Sequence, residues 1–176
     1  MKKSMLLLLG MLVLVCGSAF AQDYPKAEVF GGFSILTVGE SSNPFEGQRD
    51  NLFGFQANGA FNFHENFGVE ADFGGQYKSF DEYDVTAHTY QYLFGPRFSL
   101  RQEKATVFGH VLFGGVTVGA SDYSENAFAM GFGGGLDVNL SDRFAVRVVQ
   151  FDWIPIHDQG EWYNNTVRFG FGIVIK

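Results

Sequence analysis

Cysteine is almost missing from this chain. Of 176 residues only Cys16 is one, and it lies in an apolar run near the N-terminus. Past that run, neither disulfides nor thiolate metal sites are open to the fold. Proline occurs four times, which suits many strands and few rigid loops. Lysine after residue 21 is confined to Lys26, Lys78, Lys104 and Lys176. A basic surplus is also lacking: the formal charge is −7, which argues against nucleic acid as a partner. No stretch after residue 21 is long and apolar enough to cross a membrane as a helix.

The N-terminus carries an export pattern. Lys2 and Lys3 precede the apolar run Met5–Val15, and Ala19-x-Ala21 follows. This spacing predicts a cleavable signal peptide over 1–21, with cut before Gln22. A membrane anchor is the alternative, but an apolar run of about 11 residues falls short of the ~20 a spanning helix needs. Cys16 as a lipoprotein cysteine is disfavoured by Val15, which is not the small residue such processing prefers. Cleavage removes two lysines and no acid, taking the formal charge from −7 to −9. The remainder, 22–176, is one domain in length.

What is abundant is phenylalanine, at 21 residues, and glycine, at 23. They fall in period-2 order. In 164–176, Val167, Phe169, Phe171, Ile173 and Ile175 share one face, and Thr166, Arg168, Gly170, Gly172 and Val174 the other. An apolar edge of that length is an aggregation template unless it pairs, and the first strand is its expected partner. Eight such segments are legible, at about 26–37, 51–63, 67–78, 87–100, 105–119, 127–140, 143–154 and 164–175. His64–Asn66, Arg101–Lys104 and Ser141–Asp142 read as tight turns. Val38–Asp50, Ser79–Thr86, Ala120–Asn126 and Pro155–Tyr163 read as longer polar loops. Short turns on one rim and longer loops on the other describe an all-β, eight-stranded antiparallel up-and-down transmembrane barrel.

Alternation alone does not say which face is outside. A soluble lipocalin-like barrel buries its apolar face, and a membrane barrel does the reverse. The lysines decide it, because all four sit at strand ends or turns, whereas a water-facing wall carries them along its length. The polar face is crowded with glycine, as a narrow lumen requires beside bulky side chains. With the apolar face outward, Glu28, Glu70, Asp72, Arg97, Asp137, Arg147 and Arg168 point inward. On lipid an arginine costs ~2–4 kcal/mol at the midplane. Inside, the charges pair. Strand seven breaks phase: unbroken alternation from Phe144 would put Gln150 and Asp152 on lipid. One extra residue near Val148–Val149 repairs this, so a β-bulge is expected there, with Asp152 joining the inward acids.

With a signal peptide, eight amphipathic strands, a Phe/Gly-rich final strand and inward mixed charge, the chain resembles the small OmpA/OmpX-type outer-membrane β-barrel family. The resemblance covers all of 22–176 and rests on architecture. It implies an outer-membrane location, both termini in the periplasm and insertion by the outer-membrane assembly machinery. One departure is the ending Ile175–Lys176, where such barrels usually close on an aromatic residue.

A chemical site is harder to find. His64, His88, His110 and His157 lack ligand spacing, so no metal or other cofactor is expected, and His110 reads as a lumen side chain. A lipid-modifying hydrolase would need serine beside histidine near the lipid boundary. No His-x-Ser occurs, and Ser34 and Ser99 face inward. GFGGG at Gly131–Gly135 fails the dinucleotide pattern at Leu136 and lies within a strand. Asn164–Thr166 matches a glycosylation sequon without further context. The loops are acidic: Glu40, Glu46, Asp50, Asp81, Glu82, Asp84, Asp122, Glu125, Asp158 and Glu161 against Arg49 alone. Such a crown either keeps the rim solvated or meets lipopolysaccharide through divalent cations. Trp153, Trp162 and Tyr163 suit a headgroup girdle. The resulting expectation is a non-enzymatic, monomeric barrel with a structural or surface-interaction role, partnered by outer-membrane lipids and lipopolysaccharide. Its lumen is filled by Glu28, Glu70, Asp72, Arg97, Asp137, Arg147, Asp152 and Arg168. A small porin-like channel and a soluble ligand-binding barrel are the alternatives.

Overall fold

Period-2 alternation becomes ten strands in the computed structural model, which describes residues 24–39, 49–80, 85–120 and 123–176. The signal segment 1–21 and most of the Val38–Asp50 connector lie outside the described residues. The strands are β1 (Ala27–Gly39), β2 (Arg49–Asn62), β3 (Phe67–Phe80), β4 (Val85–Arg101), β5 (Ala105–Ala120), β6 (Tyr123–Asn139), β7 (Phe144–Trp153), β8 (Ile156–Asp158), β9 (Glu161–Tyr163) and β10 (Thr166–Ile175). Sequential strands β1 to β7 pair antiparallel, β7 pairs with β10, and β10 pairs with β1. Eight strands thus close on themselves, and the last strand covers the first as its apolar edge required: Phe33 lies opposite Phe171 and Ile35 opposite Phe169.

The apolar face is outward. Phe53, Phe55 and Phe61 of β2, Phe94 of β4 and Phe169, Phe171 and Ile173 of β10 are exposed. Between them on the same strands, Gln56, Asn58, Arg97 and Arg168 are buried. A sheet that buries glutamine and arginine while presenting phenylalanine has lipid, not water, around it. Pro96 stands on the outer face mid-way along β4, and the β4–β5 pairing skips Gly95 and Pro96 without losing register. Proline has no N–H to give that ladder.

The expected bulge is present. Leu136 lies opposite Val149 and Asp137 opposite Arg147, so Val148 is an extra residue of β7. Against β10 the same step appears between Gly170 and Gly172. Val148 and Val149 are both exposed, and Gln150 and Asp152 turn inward.

Three connectors differ from the sequence reading. β3 and β4 stay paired up to Phe80 and Val85, and β5 and β6 up to Ala120 and Tyr123. Those two loops therefore shrink, because a hairpin ladder continues above the membrane, where neither face needs to be apolar. Pro155–Tyr163 is no open loop. It folds as the β8–β9 hairpin, joined to β6 through Phe128–His157 and Ala129–Ile156. Its turn carries Gln159 at φ 48° and Gly160 at φ 90°, the left-handed pair that a two-residue hairpin needs.

The interior has two parts. At the long-loop end Leu36, Leu52, Leu93, Leu112, Val116, Ala129 and Ile154 pack as an apolar layer. Below it, toward the short turns, the filling is polar and charged around a smaller apolar cluster of Phe30, Ala145 and Val174.

Candidate functional site: a charge network across the lumen

Each charged side chain inside the barrel is there by strand parity, and the network is built strand by strand. Arg97 of β4 reaches Glu70 of β3 with one terminal nitrogen at 3.1 Å, and Glu28 of β1 with the other at 3.1 Å. Its second terminal nitrogen also stands 3.7 Å from Asp137 of β6. Arg147 of β7 grips Asp137 through Nε at 2.7 Å and a terminal nitrogen at 3.0 Å, and donates to Gln150 at 2.6 Å. Arg168 of β10 holds Asp152 Oδ2 through Nε at 3.1 Å and a terminal nitrogen at 2.7 Å, and that nitrogen lies 2.7 Å from Asp72 of β3. All eight residues expected inside are buried.

Two further side chains complete the set. His110 of β5 places Nδ1 3.2 Å from Glu70 and Nε2 2.8 Å from Asp152. Arg101, at the short-turn mouth, reaches Glu28 at 2.7 Å. Glutamine amides add donors: Gln56 donates at 2.6 Å to Asp72 Oδ2, the oxygen Arg168 leaves, and Gln150 donates at 2.9 Å to Asp152 Oδ2, which Arg168 also holds. Two inward rings act as slabs. Phe108 lies 4.1 Å from the Arg97 guanidinium and 4.2 Å from that of Arg147, with Phe30 4.3 Å from Arg147 on another side. Guanidinium faces hydrate weakly and stack well, which lets arginine fill a narrow lumen where lysine would not. Glycine supplies the remaining room. A Cβ at Gly74 would collide with Gln91 and Arg168, and one at Gly133 with Asp152.

The sequence reading treated His110 as a lone lumen side chain and left Arg101, Phe30 and Phe108 out of the network. Parity does place His110 and Phe108 inward on β5. A phenylalanine that faces in to stack on arginine, however, looks like any that faces lipid. Among the described residues no group of three or more His, Cys, Asp or Glu side chains converges as a metal would need.

Residues 7–173 match the outer membrane protein beta-barrel domain. The chain belongs to that family of outer-membrane β-barrels. Its exposed phenylalanine belt is therefore its membrane face, and the charge network lies inside a membrane-embedded barrel. Solved structures of similar fold include Ail, the attachment invasion locus protein of Yersinia pestis, in complex with the heparin analogue sucrose octasulfate. That structure shows 18% identity, a TM-score of 0.60, and coverage of 85% of this chain and 96% of Ail. Neisserial surface protein A is similar at 10% identity and TM-score 0.62, with 86% and 97% coverage. OprG from Pseudomonas aeruginosa is similar at 10% identity and TM-score 0.58, with 85% and 94% coverage. Among curated protein sequences none matches the chain.

Proposed function

We propose that this outer-membrane barrel is a non-enzymatic, monomeric protein whose lumen is plugged and whose work is structural or done at its loop rim. The carrying observation is the continuous set of ion pairs and imidazole contacts from Glu28 through Arg97, Glu70, His110, Asp152 and Arg168 to Asp72. It crosses the lumen between strands on different sides, where a conducting path would run. Eight strands leave an interior that side chains fill, and the apolar layer at the long-loop end adds a second seal. In this reading the outer-membrane assembly machinery inserts the chain after removal of 1–21. Both termini then face the periplasm, and the long loops face lipopolysaccharide and the outside.

The rim's chemistry sets the partner class. Ail was solved with a sulfated polyanion, whereas the rim segments 38–50, 79–86, 120–126 and 155–163 hold ten acids against Arg49, with Lys78 beside them paired to Asp50. A negative crown repels a polyanion and favours basic surfaces or divalent cations. The test is adhesion of expressing cells to polylysine-coated and heparin-coated surfaces. Binding to polylysine that falls when the loop acids are neutralised is the expected result. Binding to heparin would overturn the assignment. Release of fatty acid from phospholipid micelles by the purified barrel would overturn the non-enzymatic part.

A further inference from the structure

We propose that His110 is a proton-operated latch of the plug: doubly protonated, it ties β3 to β7 across the lumen, and loss of one proton frees a carboxylate and loosens the closure. The inference rests on the plugged-lumen reading above and deepens it.

The geometry carries it. One ring nitrogen faces Glu70 at 3.2 Å and the other faces Asp152 at 2.8 Å. An ionised carboxylate only accepts hydrogen bonds, and a neutral imidazole donates from one nitrogen only. The Nδ1 approach to Glu70 is an ion-pair distance without hydrogen-bond alignment, so a bare lone pair there repels the carboxylate and an imidazolium N–H attracts it. Both acids are also held by arginine, Glu70 by Arg97 and Asp152 by Arg168 through two bonds to one oxygen.

Charged groups packed around the ring come from six strands. They are Glu28 from β1, Glu70 and Asp72 from β3, Arg97 from β4, Asp137 from β6, Arg147 and Asp152 from β7, and Arg168 from β10. Histidine alone among these types ordinarily titrates near neutrality. Protons reach it from the short-turn mouth, where Arg101 and Glu28 stand, because the apolar layer covers the other end. On deprotonation the longer contact is the one released. The neutral ring keeps its proton on Nε2 toward Asp152 and turns a bare Nδ1 lone pair to Glu70, which repels it.

The test is nitrogen-15 NMR of the histidine rings of the full chain in nanodiscs across pH, alongside planar-bilayer conductance. The His110 signal is assigned by its loss in His110→Gln, or by elimination with substitutions of His64, His88 and His157 should that variant not fold. Two protonated nitrogens at neutral pH are expected, passing on alkalinisation to the Nε2–H tautomer together with a rise in conductance. That rise is lost in His110→Gln. A neutral ring at neutral pH in a non-conducting barrel overturns the latch alone, as does deprotonation without any change in conductance. Steady conduction at neutral pH overturns the plug, and the latch with it.

Discussion

Arg147 and Asp137 face each other across the β6–β7 ladder and are joined by two parallel bonds, at 2.7 and 3.0 Å. The pair sits at the last regular step before the bulge and lies against the rings of Phe30 and Phe108. A forked, stacked arrangement of this kind is specific to arginine. Arg147→Ala removes both bonds to buried Asp137 and leaves it the 3.7 Å approach of Arg97. The expected loss is about 3 kcal/mol of barrel stability, read as the urea midpoint of unfolding from vesicles. Arg147→Lys restores the charge without the fork and should recover less than half of the loss.

The bulge makes an unusual deletion tolerable. Removing Val149 leaves Arg147 in, Val148 out and Gln150 in, so both faces of β7 keep their partners. Removing Phe151 instead throws Asp152 onto lipid. Heat-modified gel mobility checks this: the Val149 deletion is expected to give a folded, boil-sensitive band, and the Phe151 deletion none.

The membrane face predicts its own cost. Phe55 is exposed on β2 and Gln56 beside it is buried. Phe55→Arg should destabilise insertion into vesicles by ~2–4 kcal/mol, whereas Phe55→Leu stays within about 1 kcal/mol. Equilibrium folding titrations with phospholipid vesicles measure both.

Orientation is checked with epitope tags. Tags placed within Ser79–Thr86 and within Pro155–Tyr163 are expected to be labelled on intact cells, and one within Arg101–Lys104 only after permeabilisation. Labelling of the third on intact cells reverses the topology.

Much of this barrel could be read from the residues. Strand parity put Glu28, Glu70, Asp72, Arg97, Asp137, Arg147 and Arg168 on the buried face but missed Arg101 at the short-turn mouth, and the faults at Gln150 and Asp152 mark the bulge. The loop ends were less legible. Ser79, Phe80, Val85 and Thr86 continue a ladder outside the bilayer, where period-2 apolarity no longer marks a strand. The β8–β9 hairpin was hidden for the same reason, although Gln159–Gly160 is a turn signal. His110 was visible as an inward residue, but its role depends on Glu70 and Asp152 arriving from strands 40 and 42 positions away in sequence, a convergence that parity along one strand cannot show.

The claim that the ion pairs close the lumen is tested most directly by planar-bilayer conductance of the purified wild-type barrel and of Arg147→Ala, recorded at neutral pH on samples with matched gel mobility. The account predicts no steady conductance for the wild type and measurable, ion-permeable openings for the variant. Steady conductance in the wild type, unchanged by the substitution, would contradict it and make the same charges the lining of a pore.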